Sequence, residues 1–153
     1  MTGLPLLGHS GPSATVAYRH GRPISVGRFL ADVQALSAAL PDTGHVINAC
    51  TDRYRFAVGL AACLVGARVS LQPPSHIART LEQLSDFAAD AVLLTDGEHR
   101  ELRLPVVRFP ELPPTIALPA PETIEIPELP AGQLAAWVFT SGSTGTPQPL
   151  PKH

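Results

Sequence analysis

The chain has 153 residues, 44% of them hydrophobic, and a formal net charge of −2. That is one domain's worth of chain with the apolar share of an ordinary globular protein. The sequence has no basic run and only 5% aromatic residues, so we expect no nucleic-acid partner and no binding to an anionic membrane surface.

The sequence also argues against metal-binding and membrane-spanning classes of protein. Cys50 and Cys63 both lie in apolar runs, as small buried hydrophobic residues do, and no C-x-x-C pair or H-E-x-x-H spacing occurs. Residues 1–13 lack the basic and apolar regions of a signal peptide, and the apolar stretch 56–69 is interrupted by Arg68 and too short to span a bilayer. A cytoplasmic location is therefore the default expectation.

The chain begins with a predicted β-hairpin and a predicted helix. Strands over 15–18 and 22–25 flank His20-Gly21, where glycine supplies the positive φ of a turn. Ser25 is predicted to cap a helix that reaches about residue 40. Apolar residues recur in it at helical spacing, namely Val26, Phe29, Leu30, Val33, Leu36 and Leu40.

Strands and helices then alternate. Strands are predicted over 46–49, 68–71, 91–95 and 106–109. Asp52 is predicted to cap a helix that ends before Gly66, and Ser75 a further helix. The apolar faces assigned to these two helices are Phe56, Leu60, Cys63 and Leu64 in the first and Ile77, Leu81, Leu84 and Ala88 in the second.

This alternation predicts an α/β fold with a mostly parallel sheet flanked by helices. Residues 1–109 are expected to form a Rossmann-like α/β unit with an N-terminal hairpin. Prolines crowd 110–132, which is interpreted as an extended connector over the surface. Residues 133–153 are expected to form a truncated domain made of a strand over 134–139 and a loop that binds phosphate.

The segment from Val138 to Pro147 is the most informative part of the sequence. An apolar strand runs directly into Thr-Ser-Gly-Ser-Thr-Gly-Thr-Pro. Glycines allow the backbone to approach an anion closely, successive N–H groups can converge on it, and hydroxyls add donors without bulk. A flexible linker is the alternative interpretation of such a tract. Against it, this tract directly follows a predicted strand, and hydroxyl residues separate its two glycines. It is not a Walker A loop, because Thr146 and Pro147 follow Gly145.

The segment resembles the phosphate-binding loop of the adenylate-forming enzymes, which include acyl-CoA synthetases, adenylation domains of peptide synthetases and luciferase. Their pattern is approximately [Phe/Tyr]-Thr-Ser-Gly-[Ser/Thr]-Thr-Gly-x-Pro-Lys, and residues 139–147 match it position by position. The chain departs at the lysine, where Gln148 stands. The nearest lysine is Lys152, which we expect to take the lysine's role.

The resemblance extends more loosely over nearly the whole chain. The family opens with a Gly-Arg-x-[Leu/Ile]-[Thr/Ser] hairpin, as in residues 21–25 here. A strand that ends in a polar turn follows, as in 46–53, and then a Gly-Ala-x-Val strand, as in 66–69. Each piece alone is generic, so the order of the pieces and their distance from the loop support the resemblance.

The resemblance implies an N-terminal portion of an ATP-dependent acid–thiol ligase that forms an acyl-adenylate from a carboxylic acid. ATP, Mg²⁺, and coenzyme A or a phosphopantetheine carrier are its implied cofactors and partners. Thr140, Ser141, Ser143 and Thr144 would supply hydroxyls, Gly142 and Gly145 close backbone approach, and Lys152 a mobile cation. The family's catalytic groups follow this loop, so the chain alone is expected to be inactive.

Two other functions are compatible with the sequence: a non-catalytic α/β module that binds a partner or an anion, and an unrelated small nucleotide-binding protein. Self-association is also expected. The helix over 25–40 would pack on strands that come after residue 153, which leaves Phe29, Val33 and Leu36 exposed. The strand over 134–139 would present an unpaired edge.

Overall fold

The computed structural model describes residues 2–99, 101–112, 124–142 and 144–153. Within these ranges the chain forms ten strands and three helices. Their bounds are β1 Gly3–Pro5, β2 Thr15–Arg19, β3 Arg22–Ser25, α1 Val26–Ala39, β4 His45–Asn48, α2 Arg53–Val65, β5 Val69–Gln72, α3 Ala78–Phe87, β6 Val92–Thr95, β7 Val106–Arg108, β8 Glu128–Pro130, β9 Ala136–Thr140 and β10 Gln148–Lys152. None of these helices has the length and apolar character needed to cross a membrane.

Six strands form one sheet in the order β10-β9-β5-β4-β6-β7. All neighbours in it are parallel except β10, which runs antiparallel to β9. Two small antiparallel ribbons are separate from this sheet, one formed by β1 and β8 and the other by β2 and β3. The predicted fold class, α/β with a mostly parallel sheet, is confirmed.

Two apolar clusters cover the two faces of the sheet. Val46 and Leu94 point to the cluster formed with α1 and α2, whereas Ile47 and Leu93 point to the cluster formed with α3. Alternation along β4 and β6 thus places apolar residues on both faces, as in buried parallel sheets. The chain moves from β4 to β5 on one side and returns over α3 to β6 on the other side of β4, which makes the sheet doubly wound.

Two of the predicted helix caps are confirmed. The side chain of Ser25 accepts a hydrogen bond from the Arg28 N–H at 3.1 Å, and that of Asp52 accepts one from the Arg55 N–H at 2.9 Å. Gly66 caps the end of α2 as expected, although the residue with positive φ is Ala67, at 53°.

The predicted apolar face of α2 is only partly correct. Cys63 is buried, but the other buried positions are mostly small residues and not the predicted Phe56, Leu60 and Leu64, which are half-buried. A Cβ on Gly59 would lie 2.9 Å from side-chain atoms of Asn48 and Leu94. The helix therefore approaches β4 and β6 through its smallest side chains.

The predicted cap of α3 is wrong. The helix begins at Ala78 after Ile77, which makes no side-chain capping bond, and Ile77 is exposed instead of packing on the sheet. Ser75 lies before the helix, where its hydroxyl donates to Thr80 Oγ1 at 2.9 Å. The predicted Leu81, Leu84 and Ala88 are buried.

The expected exposure of α1 is also wrong. Phe29 is 6% exposed, and Val33 and Leu36 are fully buried. These side chains belong to the cluster formed with α2, and hairpin residues such as Val16 and Ile24 pack against it. Because the chain covers α1 by itself, the apolar patch that suggested self-association does not exist.

Three strands have no counterpart in the sequence-based prediction. β1 and β8 pair although 127 positions separate Gly3 from its partner Pro130 in the chain. β8 lies inside the predicted connector 110–132. Much of that connector, 113–123, lies outside the described residues. β10 pairs with β9, so β9 has a neighbouring strand on each side. The prediction of an unpaired edge at 134–139 is therefore wrong, and the edge strand is β10.

Candidate functional site: the loop between β9 and β10

The loop over 141–147 leaves the carboxyl end of β9 and returns as β10. β9 is parallel to β5, which is parallel to β4 and, through it, to β6. The carboxyl ends of these four strands therefore meet at one edge of the sheet. Ligands of doubly wound sheets bind outside this edge, so the loop lies where the fold places a ligand.

Two glycines shape the loop. Gly142 has φ of 52° and Gly145 has φ of 74°, a left-handed conformation that other residues adopt at a cost. A Cβ on Gly142 would also lie 2.9 Å from the Thr146 carbonyl oxygen, whereas nothing lies within 4 Å of a Cβ on Gly145. Position 142 thus requires glycine for both conformation and space, and position 145 for conformation alone.

The predicted loop residues present hydrogen-bond donors to the outside. Thr140, Ser141, Gly142, Thr144 and Gly145 are exposed. Within the described part of the chain, no acceptor takes a hydrogen bond from the backbone N–H groups at 141, 142, 144 or 145. The predicted site residue Ser143 lies outside the described residues. Free N–H groups on a glycine-shaped turn form the kind of concavity that binds an anion.

Two glutamine side chains hold the loop by its carbonyl groups. Gln83, on α3, donates from Nε2 to the Gly145 carbonyl at 3.3 Å, and Gln148 donates from Nε2 to the Thr146 carbonyl at 3.3 Å. Gln148 stands where the family pattern has lysine, and here its amide contacts the backbone of the loop. Sequence reasoning missed Gln83, because it is 62 residues away and belongs to no motif.

The structure does not bring Lys152 to the loop. Lys152 pairs with Ala136 at the far end of the β9–β10 ribbon, while Gln148 pairs with Thr140 beside the loop. Four residues of extended chain separate the two ends of β10, which corresponds to about 13 Å. The role assigned to Lys152 from the sequence is therefore not supported by its position.

A carboxylate already closes the turn between β4 and α2. Asp96, at the end of β6, accepts hydrogen bonds from the Thr51 and Asp52 N–H groups, both at 2.9 Å, and from the Thr51 hydroxyl at 3.2 Å. Burial alone would raise the pKa of Asp96, but these hydrogen bonds outweigh it and hold the pKa below its usual value. The fixed negative charge of Asp96 therefore disfavours a bound phosphate at this turn.

Two histidines lie along the same edge. His76 follows β5, and burial together with the neighbouring His99 lowers its pKa, against the opposing influence of Asp96. His99 Nε2 lies 2.9 Å from Thr95 Oγ1. Burial and the neighbouring His99 both favour the neutral form of the His76 ring. Among the described residues no group of three or more His, Cys, Asp or Glu side chains is placed to hold a metal ion.

No family model matches the chain. A search of curated proteins finds the L-proline–[L-prolyl-carrier protein] ligase of Streptomyces coelicolor, 32% identical over 165 aligned positions that cover 89% of this chain and 31% of that enzyme.

Two solved structures are similar to the fold. The N-terminal subdomain of Klebsiella oxytoca NpsA, in complex with 3-hydroxybenzoyl-AMSN, superposes with a TM-score of 0.66 at 17% identity and covers 92% of this chain and 37% of that one. The o-succinylbenzoate-CoA synthetase MenE of Bacillus subtilis, in complex with its acyl-adenylate OSB-AMP, superposes with a TM-score of 0.69 at 16% identity, covering 97% and 42%.

The chain spans 31–42% of the length of these relatives. The NpsA structure that the fold matches is itself an N-terminal subdomain, and the chain carries the adenylate-forming loop pattern over 139–147. The chain therefore belongs to the adenylate-forming (AMP-binding) enzymes and corresponds to an N-terminal portion of one.

Proposed function

We propose that this chain supplies the triphosphate-binding loop of an ATP-dependent acid–thiol ligase and does not catalyse the reaction by itself. The observation that carries the proposal is the loop at the carboxyl edge of the sheet, with positive φ at Gly142 and Gly145 and exposed hydroxyls at Thr140, Ser141 and Thr144. The limited span of its relatives that the chain covers supports the second part.

The chemistry assigned to the loop is electrostatic. Attack of a carboxylate on the α-phosphorus of ATP places negative charge on the departing pyrophosphate. N–H groups and hydroxyls already aimed at that charge stabilise the transition state and position the phosphates. Thr140, Ser141, Thr144 and the backbone at Gly142 and Gly145 would provide these donors, with Ser143 as an expected further hydroxyl. Gln83 and Gln148 would hold the loop in shape through its carbonyl groups.

Mg²⁺ is expected to accompany ATP in such a reaction, but the described residues offer no set of ligands for it. We assign it no protein ligand in this chain. The family pattern also places a lysine on this loop. Gln148 stands at that position and carries no charge, and Lys152 is too distant to replace the lysine.

The acid and the thiol acceptor are proposed only by class. The curated relative is named for L-proline and a carrier protein, and MenE is a CoA synthetase with an aryl acid. A carboxylic acid and either coenzyme A or a carrier phosphopantetheine are therefore the proposed substrates. A cytoplasmic location and the division at 109 and 132 remain sequence-based predictions.

Asp96 argues against the alternative of an unrelated nucleotide-binding protein. Such folds place phosphate on the turn after the first strand of the sheet, and here that turn is occupied by a carboxylate. A non-catalytic anion-binding module remains the second candidate, because it would use the same loop.

ATP–pyrophosphate exchange on the full-length gene product tests the proposal, with a panel that contains L-proline, other amino acids, and aryl and aliphatic acids. We expect acid-dependent exchange with at least one of them, and none from the 153-residue chain. Folded full-length protein that binds ATP but exchanges pyrophosphate with no acid would support the non-catalytic module and overturn the ligase.

A further inference from the structure

A second cleft lies away from the loop, between the β2–β3 hairpin and the first turns of α1 and α2. It measures about 620 Å³, a volume within the range of small-molecule sites. Three arginines line it: Arg19 from the end of β2, Arg22 from the start of β3, and Arg28 from α1. It shares no residue with the loop over 141–147.

Arg28 is fixed in the wall of this cleft by a buried carboxylate. Its Nε donates to Asp32 Oδ2 at 3.1 Å, and the Tyr54 hydroxyl donates to the same oxygen at 2.5 Å. The side chain of Asp32 is 1% exposed, and its other oxygen has no donor among the described residues. Arg28 therefore cannot turn away without leaving a buried charge unpaired, which is strongly unfavourable.

Arg19 is fixed in a similar way from the other side. One of its terminal nitrogens donates to Asp52 Oδ2 at 2.9 Å, and its guanidinium lies 5.4 Å from the centre of the Tyr54 ring. The ring face favours a cation at this separation. Tyr54 thus contacts Arg19 through its ring and the partner of Arg28, Asp32, through its hydroxyl. The two guanidinium groups are held at preset positions in one cleft.

Donors greatly outnumber acceptors in the cleft. Arg28 uses only its Nε, and Arg19 one terminal nitrogen, on partners within the described chain. Arg22 makes no hydrogen bond or ion pair there, and His20 adds a ring nitrogen. A guanidinium presents its remaining N–H groups as a fork that fits the oxygens of phosphates and carboxylates. Asp32 pairs with Arg28 and Asp52 pairs with Arg19. Arg22 therefore leaves a net positive charge beside the unused N–H groups of the other two arginines, which suits an oxyanion.

We propose that this cleft binds a phosphate-bearing ligand, with Arg22 and Arg28 as its principal contacts. A phosphate monoester presents three acceptor oxygens, one more than a carboxylate, and so can accept from several guanidinium forks at once. Asp32 and Tyr54 are positioning residues, since they act through Arg28 and Arg19. The site does not depend on the proposed ligase function.

The test is an NMR titration of the 153-residue chain with inorganic phosphate at constant ionic strength, read from the arginine side-chain N–H signals. We expect saturable shifts at Arg22 and Arg28, and weaker saturation with acetate. Arg22→Gln should raise the dissociation constant roughly tenfold, as the loss of one charge-assisted hydrogen bond does. The Arg22 side chain is exposed and makes no hydrogen bond or ion pair within the described part of the chain, so the fold should be unaffected.

Arg79→Gln is the matched control, because Arg79 is an exposed arginine on α3 outside the cleft. It should bind phosphate as the wild type does. Gly142→Ala should likewise leave the arginine shifts unchanged, which separates this site from the loop. Shifts confined to 140–147, equal weakening by Arg79→Gln, or acetate binding as tightly as phosphate would each overturn the proposal.

Discussion

At the scale of single residues, Asp96 determines how the turn after β4 is built. Its carboxylate receives three hydrogen bonds from Thr51 and Asp52, and its side chain is 3% exposed. Asp96→Asn would place an NH₂ group against N–H donors. We expect the free energy of unfolding to fall by about 2 kcal/mol, the usual size for hydrogen bonds to a charged group, measured by urea denaturation at pH 7.

The effect of Asp96 should depend on pH. Because the folded pKa of Asp96 is lowered, its stabilisation is present above the unfolded pKa of about 3.9, and is lost as the pH falls through the folded value. The gap between wild type and Asp96→Asn should therefore narrow below about pH 4. Asp42→Asn, at an exposed position, serves as the control and should change little. A gap that is constant from pH 7 to pH 3 would contradict this assignment.

The two cysteines provide a second test at this scale. Cys50 is 5% exposed and Cys63 is fully buried, and burial is the main cause that raises the pKa of each thiol to about 12. Since the thiolate is the reactive form, we expect no labelling by a disulfide reagent at pH 8 in the native protein and labelling of two thiols after unfolding in guanidinium. Rapid labelling of either thiol in the native state would show that it is not enclosed.

At the scale of elements, β10 is an edge strand of the sheet and contains two prolines. A proline cannot donate to a ladder, so the ladder bonds to β9 must come from Gln148, Leu150 and Lys152. Alternation along the strand then turns Pro149 and Pro151 to the free edge. Prolines at an outer edge prevent pairing with another strand.

Restoring backbone donors at that edge should promote association. We expect the variant with both Pro149→Thr and Pro151→Thr to form dimers or larger species in sedimentation velocity at concentrations where the wild-type chain is monomeric. Pro41→Thr, an exposed proline after α1, is the control and should stay monomeric. Wild-type chain that associates to the same extent as the double variant would show that these prolines do not protect the edge.

The sequence predicted the elements that carry strong local signals. Ser25 and Asp52 are caps followed by apolar residues at helical spacing, and the buried runs at β4 and β6 lie between recognisable turns. β1 and β8 carry no such signal, because each has three residues and the partner lies more than a hundred positions away. β10 was missed because Pro149 and Pro151 argue against a strand unless it is known to be an edge.

The candidate site, like the fold, was predictable only where the sequence carries a local signal. The motif over 139–147 identifies the loop, since conformation and close approach both demand glycine at Gly142. The residues that hold the loop were not predictable, because the bond from Gln83 exists only once α3 is packed beside β9. The distance from Lys152 to the loop follows from the ladder of β10, which sequence spacing alone does not show.

At the scale of the whole molecule, the doubly wound sheet gathers the ends of β9, β5, β4 and β6 at one edge, and Asp96 closes one of the positions there. The loop over 141–147 is the place that we propose for the phosphates of ATP. The central claim is therefore that the shape of this loop, set by its glycines, controls adenylation by the full-length protein.

The most direct measurement is ATP–pyrophosphate exchange by Gly142→Ala in the full-length protein, with its responsive acid. A methyl group at 142 would meet the Thr146 carbonyl at 2.9 Å in a left-handed conformation. We expect a loss of roughly a hundredfold or more, the size seen when transition-state donors are displaced. Gly132→Ala, where nothing lies within 4 Å of the added methyl, should retain full exchange. Equal activity of the two variants would contradict the account.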